Sequence, residues 1–245
     1  MVASTANAGE AQPTIPCFGL AFVNLPESTC WTVTQAAAAG SAGDRAEFAR
    51  RYGPVIRAYL TARWRCTTNQ QEVDDAAQDV FLECFKQGGV LERAERGRGD
   101  SFRAFLFGVA RNVALRVEQS ASRRRELCGA DGIDLEAVPD DTRAFDRAWA
   151  MALFREAARL QEQLALSRGP DACRRVEVLR LRFHENLPIR DIARRLECDA
   201  AVLHHEYAKA RQEFKAALYE VVAFHHPGSA AEVEQECANL AARLG

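Results

Sequence analysis

Hydrophobic residues along this chain recur with the 3.6-residue period of helices, and no stretch of useful length alternates as a strand would. In "AEFARRYGPVIRAYLTARW", Phe48, Tyr52, Val55, Ile56, Tyr59 and Leu60 share one side, and Gly53-Pro54 predicts a break between two helices. In "QQEVDDAAQDVFLECFKQGG", Val73, Ala77, Val80, Phe81 and Cys84 follow one buried face, and Gly88-Gly89 ends the helix. "SFRAFLFGVARNVALRVEQSASRRR" turns Phe102, Phe105, Leu106, Val109, Ala110 and Val113 inward, with Ser101 or Asp100 as the N-cap. After an irregular, acid-rich stretch at 127–142 the pattern resumes. One helix runs through "AFDRAWAMALFREAARLQEQLA" to Gly169-Pro170. A second faces Val176, Leu179 and Phe183 inward. A compact stripe of Ile189, Ile192, Ala193 and Leu196 follows. A long helix capped by Asp199 then lines up Leu203, Tyr207, Ala210, Phe214, Leu218 and Val221.

These elements predict an all-α fold of two small helical domains joined by a linker, the second a helix-turn-helix domain. The expected boundaries are a flexible leader at 1–26, a first domain at 27–126, a linker at 127–144, a second domain at 145–222 and a tail helix at 223–245.

Composition narrows the function classes. At 245 residues and 48% hydrophobic the chain can bury a core, which excludes wholesale disorder. A net charge of −2 excludes a polyanion binder that works through total charge, although a local patch can still bind one. The 8 cysteines are widely spaced with no C-x-x-C, which predicts reduced, mostly buried thiols rather than disulfides. No apolar run approaches the ~18 residues of a membrane span, and no basic n-region opens the chain. The expected compartment is the cytoplasm, with no membrane association. No phosphate-cradling Gly loop, nucleophile elbow or metal-ligand spacing is present, so neither an enzymatic activity nor a cofactor is expected.

Charge is unevenly placed. Residues 93–125 hold Arg93, Arg96, Arg98, Arg103, Arg111, Arg116, Arg123, Arg124 and Arg125 against Glu95, Asp100 and Glu118, nine minus three or +6. This excess lies among Phe102, Phe105 and Phe107. It is either a solvated helix face or a nucleic-acid contact, where Arg on phosphate supplies salt-dependent affinity. The helix at 71–86 is the reverse, with Asp74, Asp75, Asp79 and Glu83 making an acidic face. That face serves either solubility and the helix dipole or docking on a basic partner.

The order of "EVDDAAQDVFLECF", "GDSFRAFLFGVARNVALRVEQSASRRR", a linker and "VLRLRFHENLPIRDIARRLECDAAVLHHEYAKARQEFKAAL" resembles the extracytoplasmic-function (ECF) group of bacterial RNA polymerase sigma factors over roughly residues 27 to 222. The resemblance implies a non-enzymatic protein that binds core RNA polymerase and directs promoter-specific initiation. It assigns polymerase binding to Asp74, Asp75, Gln78 and Asp79. It assigns melting and holding of the minus-ten element to Arg96, Arg98, Arg103, Arg111, Asn112 and Arg116. Such a site needs a basic groove with aromatic or amide side chains to hold unstacked bases. Arg111 has the alternative of pairing with an acid of the neighbouring helix. The resemblance also names promoter DNA as a partner and an anti-sigma factor as a further partner class.

At the minus-thirty-five element the resemblance assigns Arg190, His204, His205, Glu206, Lys209 and Arg211 to DNA. The chain departs from the family here, because His204 and Glu206 stand where Lys or Arg is usual. From Asp199 to Lys215 three acids meet three bases. Glu206 has three readings: it accepts from a cytosine amino group, it pairs with Lys209 one turn along, or the domain binds DNA weakly and relies on polymerase for placement. His204 and His205 lack the Cys spacing of a metal site. Beside phosphates they would favour protonation, so upstream-element binding is expected to strengthen as pH falls from about 8 to 6. Two other classes stay open: a sigma-like module that docks without reading promoters, and a plain helix-turn-helix regulator.

Overall fold

The computed structural model describes residues 29–64, 70–86, 102–127 and 141–244. Among the described residues there are helices and no strands, in keeping with the expected all-α class. In chain order they are α1 (Cys30–Ala38), α2 (Ala42–Arg63), α3 (Gln70–Phe85), α4 (Phe102–Leu127), α5 (Asp141–Arg168), α6 (Pro170–Phe183), α7 (Ile189–Arg195), α8 (Ala200–His225) and α9 (Ala230–Ala242). The leader expected at 1–26, the N-cap expected at Asp100 or Ser101, Gly88-Gly89 and most of the linker lie outside the described residues.

The predicted apolar stripes form two cores. The larger takes Phe48, Tyr52, Ile56, Tyr59 and Leu60 from α2, Val80 and Cys84 from α3, and Phe102, Leu106 and Val113 from α4. Phe145, Trp149 and Leu153 of α5, Val222 of α8, and Val233 and Leu240 of α9 complete it. Each such side chain contributes roughly 1.5–3 kcal/mol by leaving water, so helices on both sides of the linker are held in one packed unit. The smaller core joins Val178 and Leu181 of α6 to Ile192 and Ala193 of α7 and Leu203 of α8. α5 serves both regions. Its first half packs in the larger core, and further along Gln161 donates from Nε2 to the Ala210 carbonyl of α8 at 3.0 Å.

Two local expectations are corrected. Gly53-Pro54 does not break α2, which runs unbroken from Ala42 to Arg63. A proline inside a helix costs about 3 kcal/mol. Here Tyr52, Gly53, Val55 and Ile56 are all buried around it, and Pro54 and Arg50 are exposed, so the carbonyl left without its N–H donor is on the wet side. Core burial therefore outweighs the local penalty. Phe183 was expected inward and is 68% exposed, while Val176 is half-buried. Two apolar phases run along α6, and Val178 with Leu181 takes the inward one.

A polar cluster sits inside the larger core where α1, α2, α5 and α8 meet. The Tyr52 hydroxyl lies 3.1 Å from Nδ1 of His225, and Nε2 of His225 lies 3.5 Å from Oε2 of Glu156. Arg51 pairs with both Glu156 and Glu47, and the Cys30 thiol donates to the His225 carbonyl at 3.5 Å. Burial pushes the His225 pKa below its usual range, against the pull of Glu156. Burial also pushes the thiols of Cys30 and Cys84 up to about 12. The five described cysteines are unpaired; Cys30 and Cys84 are buried, and Cys173, Cys198 and Cys237 are half-buried.

Candidate partner and nucleic-acid interfaces

α3 separates its faces cleanly. Val73, Ala76, Ala77, Val80 and Cys84 are buried, and Asp75, Gln78, Asp79 and Leu82 point to solvent. Three of the four residues expected to dock a partner therefore share an open face. The fourth, Asp74, takes a hydrogen bond from Nε of Arg57 at 2.6 Å, and that bond lowers its carboxyl pKa. Gln71 donates to Asp75 at 2.9 Å. Leu82, at 69% exposed, was not singled out from the sequence. Its signal was its spacing: it follows Asp75, Gln78 and Asp79 at i+3 and i+4 steps, off the buried phase.

α4 presents Arg111 and Asn112 side by side in solvent, with Gln119, Ser120 and Arg123 further along. The pairing of Arg111 with a neighbouring acid is not formed among the described residues. Arg116 is exposed but bonds Glu83 of α3 through Nη1 at 2.9 Å. Arg103 is engaged by Asp146 of α5, whose other oxygen lies 3.8 Å from Nε of Arg243 beyond α9. In this arrangement Arg103 is committed to a partner within its own chain. Arg96 and Arg98 lie outside the described residues. The distal half of α4 is fixed by Glu118, which accepts from Arg63 Nε at 2.6 Å, from Arg63 Nη2 at 2.9 Å and from Trp64 Nε1 at 2.8 Å.

In the second region a tight turn joins α7 to α8. α7 ends in a Schellman arrangement: the Cys198 N–H donates to the Ala193 carbonyl at 3.0 Å, and the Glu197 N–H to the Arg194 carbonyl at 3.3 Å. Glu197 takes the left-handed position at φ 51°, where glycine is usual. Asp199 then caps α8, accepting from Ala201 N at 2.7 Å and Val202 N at 3.2 Å. This rigid turn sets the outward positions. Arg190, His204, His205, Lys209 and Arg211 are all exposed. Arg211 lies over the Tyr207 ring, 5.8 Å from its centroid.

Glu206 is not outward. It lies 3.3 Å from Nη1 of Arg175 on α6 and 3.6 Å from Nζ of Lys209. The pairing with Lys209 expected as one of three readings is present, and Arg175 adds to it. Glu213 is held by the same guanidinium at 2.7 Å. Sequence reasoning missed Arg175, because no local spacing links α6 to a helix some thirty residues later.

Residues 48–125 match the family model described as Sigma-70 region 2, a non-enzymatic domain of transcription initiation factors. The match runs from within α2 through nearly all of α4, and so contains both the acidic face of α3 and the basic face of α4. No curated protein matches the chain.

Proposed function

We propose that the chain is a bacterial sigma factor of the ECF group, which binds core RNA polymerase and directs promoter-specific initiation in the cytoplasm. The observation that carries this reading is the order of parts: a segment matching Sigma-70 region 2, followed in the same chain by α7 and α8 joined through a tight turn, which we read as a helix-turn-helix. Region 2 domains bind core polymerase and the minus-ten element. In this reading the outward acids and amide of α3, Asp75, Gln78 and Asp79, dock on a basic helical surface of the polymerase, with Asp74 at the margin. Arg111, Asn112 and Arg116 hold the opened minus-ten strand, joined by the arginines at 96 and 98. The first domain (27–126) and second domain (145–222) divide the promoter between them, and α8 addresses the minus-thirty-five element. The chain supplies specificity, and catalysis belongs to the polymerase. An anti-sigma protein is the further partner class that this reading carries.

The engagement of Arg103 by Asp146 favours a second reading, a module that docks on polymerase without opening promoters. One experiment separates the two and tests both. The full chain and an Asp79→Arg variant are mixed with bacterial core polymerase and resolved by size-exclusion chromatography. Co-elution of the parent, abolished by the charge reversal, is expected under either reading. Open-complex footprints on promoter fragments appear only under the first. No co-elution overturns both.

A further inference from the structure

We infer that Arg175 tunes DNA binding by withholding two carboxylates, those of Glu206 and Glu213, from the outer face of α8. The inference rests on the sigma reading for its ligand, duplex DNA against that face.

Between Asp199 and Lys215 the formal charge is zero, three acids against three bases. A phosphate-lined groove would gain little from such a helix if all six side chains faced it. The fold engages each of these acids within the protein. Asp199 is committed to the cap. Glu206 and Glu213 lie seven residues apart, two helical turns, and so share one flank. Each side chain is 21% exposed. The Arg175 guanidinium spans them, with Nη1 at 3.3 Å from Glu206 and with Nη2 at 2.7 Å and Nε at 3.0 Å from Glu213. A planar fork can serve both carboxylates, and a lysine ammonium in its place has no second arm to do so. Arg168, 4.0 Å from Glu213, is a weaker second partner. Left outward are His204, His205, Lys209 and Arg211, with Arg190 on α7, so the exposed side is cationic although the segment is formally neutral. Without Arg175, Glu206 would keep only Lys209, 3.6 Å away, and Glu213 only the distant Arg168. The two carboxylates would then set negative charge against phosphate. Arg175 touches no DNA in this account; it is a positioning residue that acts through Glu206 and Glu213.

The test uses the full chain and a fluorescent mixed-sequence duplex of about 30 base pairs, by anisotropy at about 50 mM and about 300 mM salt. Arg175→Met is expected to bind about tenfold more weakly at the lower salt, and the gap should close at the higher, because the added repulsion is screened. The triple variant Arg175→Met, Glu206→Gln, Glu213→Gln restores no ion pair, yet is expected to return to within about twofold of the parent. Arg175→Lys should fall between. A merely structural role for Arg175 would leave the triple variant as weak as the single one, and that result overturns the inference, as does an Arg175→Met that binds like the parent. If Arg175→Met does not fold, Glu206→Gln with Glu213→Gln in the parent decides. The inference requires binding no weaker than the parent's, and a clear loss contradicts it. A parent chain that binds no duplex at either salt overturns the DNA reading itself, and this inference with it.

Discussion

Removing the carboxylate of Glu118 should loosen the helix that carries the basic face. Glu118 takes three hydrogen bonds from α2 and the residue after it: two from Arg63, at 2.6 and 2.9 Å, and one from Trp64 at 2.8 Å. The Arg63 side chain is 3% exposed and that of Glu118 22%. Removing one partner of a buried ion pair costs about 3–5 kcal/mol, because the other charge stays buried. Glu118 reaches water on one side, which puts Glu118→Ala nearer 2–3 kcal/mol. With a urea slope of about 2–3 kcal/mol/M, the midpoint should fall by roughly 1 M. Glu118→Gln keeps an acceptor for Trp64 and should lose less. A double change, Arg63→Met with Glu118→Leu, should recover most of the loss, since it removes the charge as well as the bond. Burial raises the Glu118 pKa, but the bonds from Arg63 and Trp64 outweigh it, so the net direction is down. A carboxyl depressed in the fold contributes stability above its unfolded pKa and loses it as pH falls through the folded value. The alanine penalty should therefore shrink below about pH 4.5. Equilibrium urea unfolding, followed by helical circular dichroism at two pH values, measures all of this. A midpoint shift under 0.3 M for Glu118→Ala, well below the roughly 1 M expected, would refute the claim that this clamp fixes α4.

Other outcomes follow from single sites. His225 is depressed by burial, so the fold keeps it neutral while the unfolded chain takes a proton below about pH 6.5. Stability should fall from pH 7 to 5.5, and His225→Gln, although less stable at pH 7, should show a flatter profile. Glu197→Gly should stabilise the turn between α7 and α8 by about 1 kcal/mol, since it relieves a left-handed position at φ 51°; a higher melting temperature with unchanged binding would confirm it, and a lower one would contradict it. Arg111→Ala with Asn112→Ala should leave polymerase binding intact while reducing strand opening by at least tenfold, about 1.4 kcal/mol, in a permanganate footprint. Equal opening would remove these two residues from the DNA face.

Most of the fold was legible because helical periodicity needs only local information. The inward residues of α2, α3, α4 and α8 were read from spacing alone, and Asp199 was recognised as a cap from its type and place. The misses share a cause. Gly53-Pro54 signals a break to any local rule, yet α2 passes through it because buried side chains flank it on both sides. Phe183 was assigned inward because α6 carries two apolar phases, and only its neighbours α7 and α8 decide between them. Glu197 hid a Schellman turn because a glutamate stands at the glycine position. The site followed the same rule. Asp75, Gln78, Asp79, Arg111, Asn112, His204, His205, Lys209 and Arg211 are outward as their spacing implied. Arg103 and Glu206 are turned to Asp146 and Arg175, partners 43 and 31 residues away that no local pattern reveals.

The central claim is that this chain lends core polymerase promoter specificity. The most direct measurement is in vitro transcription by bacterial core polymerase on a library of random promoter fragments, with and without the full chain, and sequencing of the transcript starts. The account predicts new, sequence-selective starts that require the chain and disappear with Asp79→Arg. Transcription that is unchanged by the chain, or raised without sequence preference, would contradict it.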